Sequence, residues 1–191
     1  MSKNTIPYLW LPNLETKRLL LRKLRYEDVD DIYEYAQDPE VAKFVMWNPH
    51  SSKEETFNFM NTVIEYYIKH RPAPWGIELK SEKKIIGTVG FTKLFPKENK
   101  GEIGYTLSRL YWNRGIMTEA VKKVLEYGFE KMELDEIEAN TIVANEQSAR
   151  VLKKAGMKLV KTINGHIVVK GDLVNINLFS ISKPEFFNLY K

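Results

Sequence analysis

Leu107-Ser108-Arg109-Leu110-Tyr111-Trp112-Asn113-Arg114-Gly115-Ile116-Met117-Thr118-Glu119-Ala120 joins the end of a strand to the start of a helix through a short turn carrying an Arg-Gly step. Such a junction leaves the first backbone N–H groups of the helix without intrahelical partners, all pointing towards one spot. The helix dipole adds positive potential there, Gly115 lets a bulky anion approach the backbone, and Arg114 supplies a mobile cation at the rim. Such a place binds phosphate. An ordinary tight strand-to-helix turn would carry the same letters, so the surrounding chain decides between the two.

Downstream, Gly115 opens an amphipathic helix with Ala120, Val121, Val124, Leu125, Gly128 and Met132 along one face; Glu119, Lys122, Lys123, Glu126 and Glu130 turn mainly to water. Ile137 to Val143 alternates as a strand, Asn145 caps a helix that Gly156 stops, and two strands follow around Met157–Ile163 and Val174–Ile181. His166, in Asn164-Gly165-His166, reads as a hairpin-tip residue with no assigned role. Upstream, Trp75–Lys80, Ile85–Leu94 and Glu102–Arg109 read as an antiparallel meander. Before it, Leu14 to Leu24 alternates as an early strand. Asp28 to Gln37 is a short helix closed by Asp38-Pro39, and Ser51 and Ser52, three residues before Glu54 and Glu55, open a long helix running through Tyr67. The pattern predicts one mixed α/β domain over residues 1–191, its sheet partly antiparallel and partly parallel.

Composition narrows the chemistry. Hydrophobic residues at 43 % and charged residues at 28 % give a chain of 191 residues enough apolar material for a core. Cysteine is absent, which removes disulfides, thiolate-bound metals and cysteine nucleophiles. The three histidines, His50, His70 and His166, form no metal-ligand pair, so no metal is expected. Lys plus Arg 29 against Asp plus Glu 25 leaves a charge of +4, which fits a polyanionic small molecule as well as nucleic acid. No apolar run reaches the roughly 18 residues of a membrane span, so a soluble, intracellular protein is expected.

Taken with its neighbours, the turn resembles the acetyl-CoA loop of the GCN5-related N-acetyltransferases (GNAT), and in particular the branch that acetylates ribosomal-protein N-termini. That loop reads Q/R-x-x-G-x-G/A, and Trp112-Asn113-Arg114-Gly115-Ile116-Met117 falls on it, followed by Thr118-Glu119-Ala120. Trp112 and Met117 depart from it at positions where backbone N–H groups make the contact. The resemblance continues through Leu14–Arg22, Ile85–Gly90, Glu102–Tyr105 and Asn145–Met157, covering nearly all of the chain in order. It implies a GNAT fold, a twisted sheet of about seven strands flanked by about four helices. It also implies acetyl-CoA as cosubstrate, held by Leu107, Asn113, Arg114, Gly115, Ile116, Met117, Thr118 and Asn145.

Acetyl transfer to an amine must polarise the thioester carbonyl, deprotonate the amine and protonate the leaving thiolate. For the first task the resemblance points to the backbone N–H of Leu107 at a splayed strand end, and for the second to Glu102, directly or through water. Glu102 shares a period-two face with Gly104, Thr106 and Ser108, where an ordinary solvent-facing glutamate would also sit. A carboxylate position used by some relatives is Asn140 here, and the tyrosine that some use as acid is Leu152. Ser148, one helical turn earlier on the same face, takes that place by resemblance, hydrogen-bonding the sulfur or relaying a proton. A helix N-cap and a partner of the pantetheine amides are competing uses of the Asn145 side chain. Phe44, Met46 and Trp47 serve either as walls of the amine entrance or as core.

An α-amine, with a pKa of about 7.7–8.0, leaves a usable neutral fraction at pH 7, whereas lysine at about 10.4 leaves a few molecules in ten thousand. An N-terminal amine therefore needs the weaker base. The resemblance implies as acceptor the α-amino group of a protein, ribosomal in that branch; a cytoplasmic enzyme without membrane or direct nucleic-acid contact is expected. A small amine such as a polyamine or aminoglycoside would call for an acidic cleft, and a non-catalytic coenzyme- or nucleic-acid-binding module is the third reading. This fold commonly pairs through late strands, which leaves a homodimer open.

Overall fold

The amphipathic face read after Gly115 does what its spacing requires. In the computed structural model, which describes residues 11–190, helix α4 (Ile116–Glu130) lays Ala120, Val121, Val124, Leu125 and Phe129, all buried, onto a central sheet. The helix comes close enough that a Cβ on Gly128 would stand 2.7 Å from Ile137 and 2.9 Å from Phe91, so only glycine fits.

The sheet has eight strands: β1 (Leu14–Glu15), β2 (Leu19–Arg22), β3 (Pro74–Leu79), β4 (Lys84–Phe95), β5 (Lys100–Leu107), β6 (Glu136–Ile142), β7 (Lys158–Val169) and β8 (Asp172–Ser182), in the order β1-β2-β3-β4-β5-β6-β8-β7. Among the described residues only β5 and β6 pair in parallel; every other neighbouring pair is antiparallel. Consecutive strand residues face opposite sides, and Ile85 and Ile86 enter two different apolar clusters, so the sheet is covered on both faces. One face carries α1 (Val29–Ala36) and α3 (Lys53–Ile68). The other carries α4, α5 (Glu146–Lys154) and α6 (Lys183–Tyr190).

The mixed α/β architecture is the expected one, with differences in detail. The early strand is two short ones, because Thr16 turns the chain: its amide donates to the Leu19 carbonyl, and its hydroxyl accepts from the Leu19 amide. Asp38-Pro39 closes α1 and also opens a further helix, α2 (Pro39–Ala42), where Asp38 accepts from the Glu40 amide and Pro39 occupies the first turn. Ser52 caps α3 and Glu55 reaches back to Ser51, the reciprocal arrangement its spacing predicted. Six α-helices stand among the described residues where about four were expected, α2 and α6 being the additions. The last two strands are longer than their sequence pattern, and their turn falls at Lys170–Gly171, both at positive φ. His166 therefore lies within β7, where the ladder with β8 shifts register between Ile163 and Ile167, and not at the hairpin tip.

Candidate active site

The site is built by a failure of pairing. β5 and β6 pair from Lys100↔Glu136 to Ile103↔Ala139 and then part: β5 continues to Leu107 along β4, and β6 continues to Ile142 along β8. The Ser108 amide donates to the Ile86 carbonyl. By strand alternation the amides of Gly104 and Thr106 also face β4, and those of Tyr105 and Leu107 face the gap with no β6 carbonyl opposite. The Leu107 carbonyl on that side accepts from Trp112 Nε1 at 2.8 Å. Trp112, one departure from the expected loop pattern, thus fixes the splayed strand end and packs against both apolar clusters.

Just beyond, Asn113 and Gly115 take left-handed backbone (φ 59° and 70°) and turn the chain into α4. The amides of Asn113 to Thr118 find no acceptor among the described residues, and the first helical bond is Glu119 N–H to the Gly115 carbonyl. Met117, the second departure, has its side chain buried in the core, leaving its amide at the surface of the turn. Glu119, expected to face water, instead accepts from the Thr16 hydroxyl (2.5 Å), the Arg18 amide (3.0 Å) and Arg18 Nε (2.7 Å). Burial works to raise its pKa, but these donors together hold it below the usual carboxylate value. Arg18 also donates to the Arg114 carbonyl, tying the turn down from below.

A cavity of about 630 Å³ runs from this turn to α5, reaching Leu107, Asn113, Gly115 to Thr118, Asn145 and Ser148. Lys43, Arg150 and Lys154 rim it together with Glu40 and Glu146, the latter two at 3.5 Å from Lys43 and Arg150 respectively. Bare amides at a helix start beside three cations suit a diphosphate. The Arg114 guanidinium lies 5.5 Å from the centre of the Tyr111 ring. Asn145 caps α5, its Oδ1 accepting from the Ser148 amide at 3.1 Å, so the capping use expected of it is the one observed; its side-chain N–H groups make no bond among the described residues.

A second cavity, of about 690 Å³, lies between α1, α3 and the exposed side of β4, β5 and β6, and includes Phe44, Met46 and Trp47 in its wall. The two cavities share Phe44, Val45, Tyr105, Thr106, Asn145 and Ser148, and so meet where the sheet opens. Glu102 faces the second cavity with its side chain only 16 % exposed. It accepts from Thr92 Oγ1 at 3.0 Å and Asn140 Nδ2 at 3.1 Å, with Lys93 Nζ 3.5 Å away. Asn140, which cannot act as a base itself, holds the carboxylate that can.

Ser148 Oγ lies 2.8 Å from the hydroxyl of Tyr105, which also donates to the Ser148 carbonyl at 3.0 Å. Burial pushes the Tyr105 pKa far above its ordinary value, only partly opposed by the Ser148 bond, so the phenol keeps its proton at neutral pH. Sequence reading missed Tyr105; the signal was its place in the Glu102-Ile103-Gly104-Tyr105 block, on the sheet face opposite to Glu102. Leu152 is buried in the core. Among the described residues no cluster of His, Asp or Glu could hold a metal ion, and no helix is long and apolar enough to cross a membrane.

An opened sheet beside an anion-ready helix start is the framework of an acyl-coenzyme-dependent transferase. The profile of the acetyltransferase (GNAT) domain matches residues 18–158. The N-acetyltransferase YoaA of Bacillus subtilis, itself uncharacterised, is 33 % identical over 173 residues, covering 91 % of this chain and 98 % of that one. A GNAT-family acetyltransferase crystal structure from Bacillus anthracis superposes with a TM-score of 0.81 at 28 % identity, over 91 % of this chain and 99 % of that one. The ribosomal-protein-S5-alanine acetyltransferase of Vibrio fischeri shares the fold, with a TM-score of 0.77 at 24 % identity over 92 % of this chain and 98 % of that one. The chain belongs to the GNAT acetyltransferase family. It is an enzyme, an acetyl-CoA-dependent N-acetyltransferase.

Proposed function

We propose that the protein transfers the acetyl group of acetyl-CoA to the α-amino group of a protein, in a ternary complex, with Glu102 as base and Ser148 as proton donor to the leaving sulfur. The observation that carries this reading is the meeting of two cavities at the gap between β5 and β6, with a carboxylate on one side and a hydroxyl pair on the other. Acetyl-CoA, when bound, supplies an activated carbonyl and a thiolate leaving group. The amides from Asn113 to Thr118 would hold its diphosphate, the free Asn145 side-chain N–H groups its pantetheine arm, and the Leu107 N–H its carbonyl oxygen. Glu102 takes a proton from the incoming ammonium, directly or through a water, and the freed nitrogen lone pair attacks the carbonyl carbon. As the N–C bond forms and the C–S bond breaks, the nitrogen sheds its second proton to water, and the Ser148 hydroxyl gives its proton to the sulfur and regains one from solvent, directly or by way of Tyr105.

The weak-base argument favours an α-amine over lysine, since one exposed-to-cavity carboxylate suffices for a group whose pKa is about 8. The Vibrio fischeri protein, a ribosomal-protein-S5-alanine acetyltransferase by name, lends support to a ribosomal acceptor here. Thiol release from acetyl-CoA, measured against N-terminal peptides, lysine peptides and polyamines, tests the proposal. Turnover should be confined to α-amines and should fall about a hundredfold in Glu102→Gln at pH 7. Preference for lysine peptides or polyamines, or full activity of Glu102→Gln and Ser148→Ala together, overturns it.

A further inference from the structure

The cavity on the α1–α3 face is much larger than an amine alone needs, and its walls have a definite chemistry. At about 690 Å³ it has room for a large side chain beside the reacting nitrogen. Rings of Phe44, Trp47, Phe59 and Tyr66 line it, with Ile167 of β7 as a branched aliphatic neighbour. Among the described residues that line it, Glu102 is the one carboxylate, and none is a lysine or arginine. His50 adds no cation at neutral pH: burial lowers its pKa, against a weaker opposing pull from Glu55, and its Nδ1 is engaged with the Thr56 hydroxyl at 2.8 Å.

A guest with one positive charge therefore finds one counter-charge, at Glu102, whose other charged neighbour is Lys93 Nζ at 3.5 Å. Each further ammonium of a polyamine, or the carboxylate of an acidic side chain, would be pressed against rings without a partner. An alanine or serine side chain would leave most of the ring surface unfilled. We propose, resting on the transferase reading above, that the acceptor's first residue carries a large apolar side chain, aromatic or of methionine or leucine size, which occupies this cavity while its α-amine sits at Glu102. Selectivity then comes from the apolar area removed from water. Burial of a whole apolar side chain against that of a methyl or hydroxymethyl group gives at least about a tenfold advantage in kcat/KM.

The test is thiol release from acetyl-CoA with peptides identical except for a first residue of Phe, Met, Ala, Ser, Asp or Lys, with phenethylamine and spermidine alongside. Phe- and Met-first peptides should exceed Ala- and Ser-first ones at least about tenfold. In Trp47→Ala the ratio between Phe-first and Ala-first peptides should narrow, and Trp47→Phe should restore most of it. Equal or better use of Ala- or Ser-first peptides by the unaltered protein overturns the inference and leaves the transferase reading standing; so does spermidine as the better acceptor. Phenethylamine matching the Phe-first peptide overturns the peptide as occupant. Inactivity towards every amine, with acetyl-CoA shown bound by calorimetry, removes the transferase reading itself.

Discussion

Tyr105 and Ser148 lie on different elements, 43 positions apart, and meet in a contact that neither residue's local sequence announces. The phenol is protonated at neutral pH and lies within hydrogen-bond reach of the serine oxygen, so it can return a proton to Ser148 once the serine proton has passed to a sulfur beside it. Ser148→Ala is expected to lower kcat about a hundredfold with KM for acetyl-CoA little changed. Tyr105→Phe should lower kcat about tenfold, because the serine keeps its hydroxyl but loses its proton source. A stopped-flow thiol assay separating chemistry from product release checks both, and a Tyr105→Phe enzyme with unaltered kcat refutes the relay. Ser148 and Glu102 were legible because each belongs to a block of letters. The partner of each was not: Asn140 beside Glu102 and Tyr105 beside Ser148 depend on which strands and helices become neighbours. Met117 shows the reverse, a departure from the loop pattern whose side chain goes into the core.

At the scale of elements, the start of α4 depends on Glu119, which joins it to the β1–β2 turn through Thr16 and Arg18. Glu119→Ala strands the partly buried donors of that turn. It should destabilise the fold by about 1–3 kcal/mol in urea titrations and raise KM for acetyl-CoA severalfold, since the phosphate turn loses its footing. At the start of helix α6, Glu185 reaches back to accept from the Ser182 amide (3.0 Å) and hydroxyl (2.8 Å) and pairs with Lys158 at 2.7 Å. The Lys158 bond first, then the Ser182 bonds, pull the Glu185 pKa to about 2. A carboxylate depressed in the folded state stabilises it above the unfolded value and loses that contribution as pH falls towards 2. At 40 % side-chain exposure, solvent screening leaves roughly 0.5–1 kcal/mol. Glu185→Gln should therefore lower stability at pH 6, and the difference from the parent should vanish near pH 2, as thermal melts across that range would show. The Ser182-Lys183-Pro184-Glu185 spacing is the same signature that located α3 from Ser52 and Glu55, so α6 could have been read from the sequence. The four-residue α2 could not, because Asp38-Pro39 ends one helix and starts the next with the same two letters.

For the whole molecule, order and type of the long elements were written in the hydrophobic periods, and the mixed sheet followed from them. The parting of β5 and β6 had no local signal of its own: both strands have ordinary alternation, and only their differing partners beyond Ile103 and Ala139 separate them. Two cavities on opposite faces of one sheet make ligand binding a property of the entire fold. Acetyl-CoA at a hundred times its dissociation constant should stabilise the native state by about 2.7 kcal/mol. For a chain of this size that is a rise in Tm of roughly 5–10 °C, read by scanning calorimetry. An unchanged Tm in a large excess of acetyl-CoA would mean that the folded chain does not bind it. The unpaired stretch of β5 also gives the molecule a built-in reporter. In deuterated solvent the backbone hydrogens of Tyr105 and Leu107, mid-sheet yet lacking carbonyl partners, should trade places with deuterium far sooner than those of Gly104 and Thr106, which face β4. Saturating coenzyme should slow Leu107 selectively, so one amide read by NMR would count the fraction of molecules loaded without any acceptor having to be known.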